Sequence, residues 1–516
     1  MTSPQHTGSA ASNPAASGPE KSPWPALWAL VIGFFMILVD TTIVSVANPA
    51  IKAALDPAST NLDNVVWVTS AYLLTYAVPL LVTGRLGDRF GPKNLYLIGL
   101  AIFTLASLGC GLSQSLGMLV AMRAVQGLGA ALVTPQTMAV ITRTFPPNKR
   151  GAAMGLWGAT AGVATLVGPL LGGLIVDGFG WEWIFFINLP VGVIGFVLAV
   201  LLVPQLPTRS HRFDIPGVLL SAVGLFLVVF GLQEGERLGW NGWVWTMIVG
   251  GVLVFAFFIW TQSRTKNEPL VPLSLFRDRN FSVANIGIAT VGLTVTSMSL
   301  PFMFYVQLAR GLTPTESALL LVPMAVLSGV LAPFAGRLLD KVDPRVILVP
   351  GLALMVISLI WNAVLIGGGA DTPIWLFLLP SVLQGFANAG MWGPLATTAT
   401  RNLPPMQAGA GSGIYNTTRT IGSVIGSAAI AALMQARLEA NLPQASGSGA
   451  SSGFGEGGLP SFIVLGFSTA MAEAMWLPII GMTIGLVVVL FMKRPSVLDK
   501  PKPVDASVEK TPAPQA

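Results

Sequence analysis

Asp40 is the residue with the most chemistry to offer. It sits in Leu38-Val39-Asp40-Thr41-Thr42-Ile43-Val44, inside an apolar run over 25–50. Of the 22 acidic residues it is the one placed well within such a run. A carboxylate at membrane depth is costly and is a functional candidate by default. Desolvation favours its neutral form and a nearby cation its charged form. Its proton affinity can therefore be switched by access and by its partner. The expected partner is Arg123, within a later run. Asp40 lies about ten residues before the far end of the first run, and Arg123 about eight after the start of the fourth, which at about 1.5 Å per residue puts them at similar depths. The pair can work as a proton carrier with its modulator. It can also be a static ion pair, or Asp40 can be tied to Thr41 and Thr42.

Other chemistry is missing. The two histidines, His6 and His211, fall in a tail and a loop, and the single cysteine, Cys110, excludes an intramolecular disulfide. Gly409–Gly413 lacks the Lys-Ser or Lys-Thr of a phosphate loop, and no metal-ligand or nucleophile–base set is visible. The chain reads as a non-enzyme without cofactor or metal, drawing energy from a gradient.

The elements that hold these residues are membrane helices. Hydrophobic residues make up 53% of the 516 and charged residues only 10%. Soluble proteins carry about 25% charged residues, so the surrounding medium must be a lipid bilayer. The net charge of +6 is spread over many short loops, which argues against a nucleic-acid partner. A span needs about 20 apolar residues. Fourteen candidates result: 25–50, 64–84, 94–113, 115–143, 151–177, 183–204, 213–233, 242–262, 280–308, 316–339, 345–367, 374–401, 409–436 and 469–492. An even number puts both termini on one side. Most of the 28 lysines and arginines then face that side, which the positive-inside rule assigns to the cytoplasm. The segments 1–24 and 493–516 read as disordered cytoplasmic tails, with no apolar signal-peptide core in the first, and 445–458 as a flexible external loop.

The chain also repeats itself. Gly84-Arg85-Leu86-Gly87-Asp88-Arg89-Phe90-Gly91-Pro92-Lys93 returns as Gly336-Arg337-Leu338-Leu339-Asp340-Lys341-Val342-Asp343-Pro344-Arg345. Arg143 to Gly151 is echoed by Arg401 to Gly409. The expected architecture is all-α: six-helix bundles at 25–204 and 280–492, with a two-helix insertion in 205–279. Parallel repeats place a substrate path at their interface. One chain holds both halves, so a monomer suffices. In 84–93, Gly84 and Gly91 permit tight turns and close helix approach, and Asp88 can accept hydrogen bonds from a helix N-terminus in the opposite half. Arg89 and Lys93 are expected at the headgroups.

Four motifs in order carry a family resemblance. They are Leu38–Val44; Gly84–Lys93; Arg123-Ala-Val-Gln126-Gly127-Leu-Gly129; and Gly162 with Gly168-Pro169-Leu-Leu-Gly172-Gly173. The chain resembles the major facilitator superfamily, specifically its fourteen-helix drug:proton antiporter branch (EmrB/QacA type). That resemblance implies a multi-pass plasma-membrane exporter working by alternating access. It would expel amphipathic or cationic compounds in exchange for protons, or export an endogenous lipid or metabolite; the remote alternative, from another class, is a non-transporting membrane sensor. Asp40 and Arg123 would couple protons, and Gly84, Asp88, Arg89, Gly91, Lys93, Gly336, Arg337 and Asp340 would gate. Pro92 stands where a base is common, and Glu182 likewise. Pro169 is expected to kink its helix, and the second half has no matching proline. Trp157, Asn188, Phe304, Gln307, Trp392, Asn416 and Arg419 are candidate cavity residues. Arg419 has three readings: pairing with an acid, orienting Asn416, or meeting an anionic substrate.

Overall fold

The computed structural model describes residues 22–55, 63–147, 149–208, 214–235, 237–265, 269–442, 459 and 461–494. Most of both expected tails and the 445–458 segment lie outside them. In chain order the α-helices are α1 (Trp24–Leu55), α2 (Asp63–Ala77), α3 (Leu80–Phe90), α4 (Pro92–Gly111), α5 (Leu116–Thr144), α6 (Arg150–Phe179), α7 (Trp183–Phe186), α8 (Asn188–Leu202), α9 (Ile215–Glu234), α10 (Gly242–Arg264), α11 (Arg279–Phe304), α12 (Pro314–Leu319), α13 (Val322–Leu339), α14 (Arg345–Gly367), α15 (Leu378–Thr400), α16 (Ala408–Asn441), α17 (Ser461–Ala474) and α18 (Trp476–Val489). No strand occurs among the described residues. Among the described residues, thirteen spans are long and apolar enough to cross a membrane, and a bent pair makes a fourteenth. The chain is a multi-pass, all-α membrane protein.

The bent pair corrects one expectation. The segment read as a single span over 64–84 is α2 and α3, meeting at 47°. The break falls at Val78 and Pro79, where the proline supplies no N–H to continue the helix. Helix α3 then runs on to Phe90, so the stretch read as an 84–93 loop is mostly helix. Only Gly91 turns, at φ +90, the left-handed region that favours glycine. Pro92 follows as the first residue of α4, a position where a missing N–H costs nothing.

The first-half helices pack on one another: α4 on α5, α1 on α6, α2 on α5, and α8 on α1 and α4. The second half repeats the pattern, with α14 on α15, α11 on α16 and α18 on α11 and α14. Between the halves, α6 packs on α13 and α15, while α16 packs on α3 and α5. Hairpin α9–α10 touches this seam through α9, where Val229 joins Leu74, Ala77 and Val424. Only 17% of the α10 span is covered by protein. Its outward Trp243, Leu253 and Phe257 form an apolar surface suited to lipid.

Between lipid-soluble helices, close van der Waals contact replaces the hydrophobic drive. The seam shows this at one end of the bundle. A Cβ on Gly84 would strike the Gly409 carbonyl, and one on Gly336 the Gly151 carbonyl. These two contacts are the two copies of the repeated motif, each pressed on the opposite half. Both need hydrogen at that position because backbone lies opposite.

Candidate functional site

Asp40 and Arg123 meet. Arg123 Nη1 lies 2.6 Å from Asp40 Oδ2, and both side chains have 0% exposure. Helix α1 presents Asp40 to α5, and α5 presents Arg123 and, one turn on, Gln126. The other carboxylate oxygen accepts from Gln126 Nε2 at 3.0 Å and Asn188 Nδ2 at 2.8 Å. Gln126 Oε1 accepts from Arg123 Nη1 at 2.6 Å, and Gln126 Nε2 also donates to Ser107 Oγ at 2.7 Å. The guanidinium donates from Nε to the Val68 carbonyl at 3.1 Å and lies 4.1 Å over the Tyr72 ring. Its Nη2 has no partner within the protein. This is a dry, polar knot in an apolar helix bundle. Removing either ion leaves the other buried and uncompensated, which costs about 3–5 kcal/mol.

The fifth-helix glycines hold α1 in place beside that knot. Helix α6 runs from Arg150 to Phe179 with Pro169 inside it. What the motif provides is contact. A Cβ on Gly168 would strike Thr42 Oγ1, and one on Gly172 would meet Ile43 Cγ1 at 3.0 Å. Gly162 faces Ser328 and Gly173 faces Thr315 on the other half. Thr42 and Ile43 lie two and three residues after Asp40, so α6 clamps the carboxylate's own helix. Gly168→Val is expected to push α6 off α1. Overpacking of this kind costs about 1–3 kcal/mol, visible as a lower midpoint of thermal aggregation in detergent. Gly127 makes the matching approach of α5 to α2, against Thr75 and the Tyr72 carbonyl.

A cavity of about 210 Å³ lies between the halves. Leu38, Thr41 and Thr42 of α1 line it. Positions i, i+3 and i+4 share one helix face, and Asp40 lies off that face. The cavity therefore stops at Thr41, whose hydroxyl donates to Tyr72 Oη at 3.3 Å. Across it lie Gln384, Asn388, Trp392, Arg419 and Ser423. Arg419 Nη2 donates to Tyr76 Oη at 3.1 Å, and its Nε is buried without a partner.

Several cavity expectations need correction. Of the seven candidates, only Trp392 and Arg419 line this space. Asn188 is a ligand of Asp40 instead. Trp157 stacks on Phe34 at 5.0 Å and is 2% exposed. Asn416 turns back to the Ser412 carbonyl of its own helix at 2.9 Å. Phe304 faces outward at 43% exposure, and Gln307 lies in the π-helical turn Tyr305–Ala309, near Met303. Arg419 neither pairs with an acid nor bonds Asn416 among the described contacts.

Toward the end carrying the repeated motif, two latches close the seam. Asp88 accepts from the backbone N–H groups of Gly409 and Ala410, each at 2.9 Å, and pairs with Arg143 at 2.5 Å. Those N–H groups open α16, where the helix dipole favours an anion. Asp340 accepts from Gly151 N–H at 2.8 Å, at the start of α6, and lies 3.8 Å from Arg401. Burial raises the Asp340 carboxyl above its ordinary range, against the pulls of Gly151 and Arg401. Arg143 and Arg401 are duplicate positions that the sequence marked as part of the internal repeat, without a place in the latches. Of the flanking bases, Lys93 donates to the Val200 carbonyl at 2.7 Å, Arg89 lies over Phe90 at 5.1 Å, and Arg337 over Phe334 at 5.8 Å.

Comparison with known proteins follows the same lines. The sequence model of the Major Facilitator Superfamily matches residues 30–427 and 286–514. An uncharacterized MFS-type transporter of Mycobacterium tuberculosis is 51% identical over 485 residues, covering 93% of this chain and 82% of that one. The tetracenomycin C resistance and export protein of Streptomyces glaucescens is 35% identical over 444 residues, covering 83% and 81%. Among solved structures, the proton:xylose symporter XylE aligns with a TM-score of 0.60 at 14% identity, over 91% of this chain and 95% of that one, which speaks to fold alone. The chain belongs to the major facilitator superfamily, whose members are membrane transporters and not enzymes.

Proposed function

We propose that this protein is a proton-coupled exporter of amphipathic compounds that works by alternating access. The observation that carries the reading is the buried Asp40–Arg123 pair, one residue removed from the wall of a cavity that lies between the two halves. The similarity to an antibiotic export protein supports the direction of transport.

The chemistry follows from charge balance. With Asp40 ionised, the pair is neutral and its lone pairs are occupied by Gln126 and Asn188. A proton on Asp40 cancels the carboxylate and strands the Arg123 cation in a dry interior. The guanidinium must then find another acceptor, and Arg123 Nη2 is already without one. Protonation is thereby tied to movement of α5 relative to α1. The positive-inside distribution puts the Asp88 and Asp340 latches on the cytoplasmic side, so the structure is closed there. Helix α1 leaves Thr41 as the thin wall between cavity and carboxylate, where substrate and proton can exclude one another.

The testing experiment is proton flux. Purified full-length protein in liposomes with an entrapped pH dye is expected to move protons opposite to an imposed gradient of a transported amphipathic compound. A compound that crosses on the protein with no proton movement would overturn the coupling.

A further inference from the structure

We infer that the central cavity selects substrates bearing an acidic group, and that Arg419 is the anchor for that group. This rests on the cavity being the transport site proposed above and adds the charge of its cargo.

Arg419 is the only ionisable side chain lining the cavity among the described residues, and no Asp or Glu lines it. Asp40 is engaged by Arg123, Gln126 and Asn188 and lies off the cavity face of α1. The site thus carries one unbalanced positive charge. A cationic compound would find no carboxylate there and would be repelled. Arg419 spends one donor on Tyr76 and leaves its Nε buried and unpartnered. A guanidinium presents five donors in a planar fork that matches a carboxylate or phosphate oxygen pair. The rest of the lining suits an apolar body: Met298, Met324, Met355 and Met475 stand beside Phe302 and Trp392. Methionine adapts to irregular apolar shapes. Trp392 Nε1 is already committed to Asn388 at 2.9 Å, so the indole offers a face and not a donor.

The same anchor reaches the proton site. An anion on Arg419 competes with Tyr76 for the guanidinium. Tyr76 stacks on Tyr72 with ring centres 6.1 Å apart and planes at 3°, and the Tyr72 ring lies under Arg123. Two stacked rings thus lie between the anchor and the Asp40 partner.

The test is equilibrium binding to the full-length protein in neutral phosphatidylcholine nanodiscs, without a pH gradient. The probes are dansylaminoundecanoic acid, its methyl ester and its trimethylammonium analogue, read by energy transfer from tryptophan. The acid is expected to bind about tenfold or more tighter than the ester, as charge-assisted hydrogen bonds imply, with the cation weakest. Arg419→Gln brings the acid to the affinity of the ester and leaves the ester unchanged. Tyr76→Phe frees a donor and tightens the acid. An acid that binds no better than the ester or the cation overturns the inference, as does a preference that survives Arg419→Gln. If Arg419→Gln is not recovered as a monodisperse protein, Tyr76→Phe decides, and unchanged or weaker acid binding overturns it. Competition by dihexanoyl phosphatidylglycerol assigns the anion to a lipid headgroup, and lack of competition assigns it to a free amphipathic acid. Both keep the anchor. Cation preference with intact proton flux removes this inference alone, while acid preference without proton flux removes only the coupling.

Discussion

Replacing Asp40 by asparagine is expected to abolish uphill efflux driven by a pH gradient, while substrate counterflow across the membrane survives. Asparagine keeps the shape and can still accept from Gln126 and Asn188, which hold Asp40 Oδ1 at 3.0 and 2.8 Å. It cannot take up and release a proton. It also leaves Arg123 permanently uncompensated, at a cost of about 3–5 kcal/mol when one member of a buried pair is removed. The variant should therefore show a lower thermal midpoint in detergent as well as uncoupled exchange. Measuring efflux and counterflow in the same liposomes separates the two effects, because a merely misfolded protein loses both. Uphill efflux at the wild-type rate would remove Asp40 from the proton path.

Breaking the first latch is the second large effect. Asp88→Ala deletes two charge-assisted bonds to the start of α16 and strands Arg143. Bonds to charged groups are worth about 1.5–3 kcal/mol each, and about 1.4 kcal/mol is a tenfold change in population. The closed arrangement at this end should lose at least one such factor. A cysteine at Ile414, which is 4% exposed beneath the latch, reports the opening. Its labelling by a membrane-impermeant maleimide from the side that carries the latches is expected to rise at least tenfold, while native Cys110, at 0% exposure, stays silent. Asp340→Ala should act in the same direction but more weakly, because Arg401 stands 3.8 Å from Asp340 whereas Arg143 stands 2.5 Å from Asp88. Equal labelling of wild type and Asp88→Ala would mean that the glycine contacts alone keep the seam shut.

The latches and the ion pair divide the work between two kinds of residue. Gly84 and Gly336 bring backbone to backbone, and the nearby carboxylates of Asp88 and Asp340 cap the helices so exposed. Either element without the other would be weaker. A glycine seam without the cap leaves buried N–H groups unpaired, and a carboxylate without the close approach cannot reach them. The knot around Asp40 needs no such symmetry. Its partners come from α1, α2, α4, α5 and α8 of the first half alone, which agrees with the second half having no acid at the corresponding depth.

Much of this was legible in the chain as written. The lipid environment, the number of spans and the internal repeat follow from long apolar runs and a duplicated charged motif, because each depends on composition over about twenty residues and not on any single contact. The meeting of Asp40 and Arg123 was legible from depth alone, since two opposite charges within an apolar bundle are costly unless they pair. The sequence also marked Gln126, Asn188 and Arg419 as polar residues in apolar surroundings. It could not say which way each points. Rotation of a helix about its axis is set by packing against its neighbours, and about 100° per residue separates a cavity wall from a lipid face. That is why Asn188 turned out to bind the carboxylate, why Phe304 faces outward, and why the fifth-helix glycines face α1 and clamp it beside Asp40. It is also why Arg419, open to three readings from the sequence, became the lone charge of the cavity only when the eighteen α-helices had been placed around it, roughly ten ångströms apart, with no carboxylate among the described residues in the cavity wall.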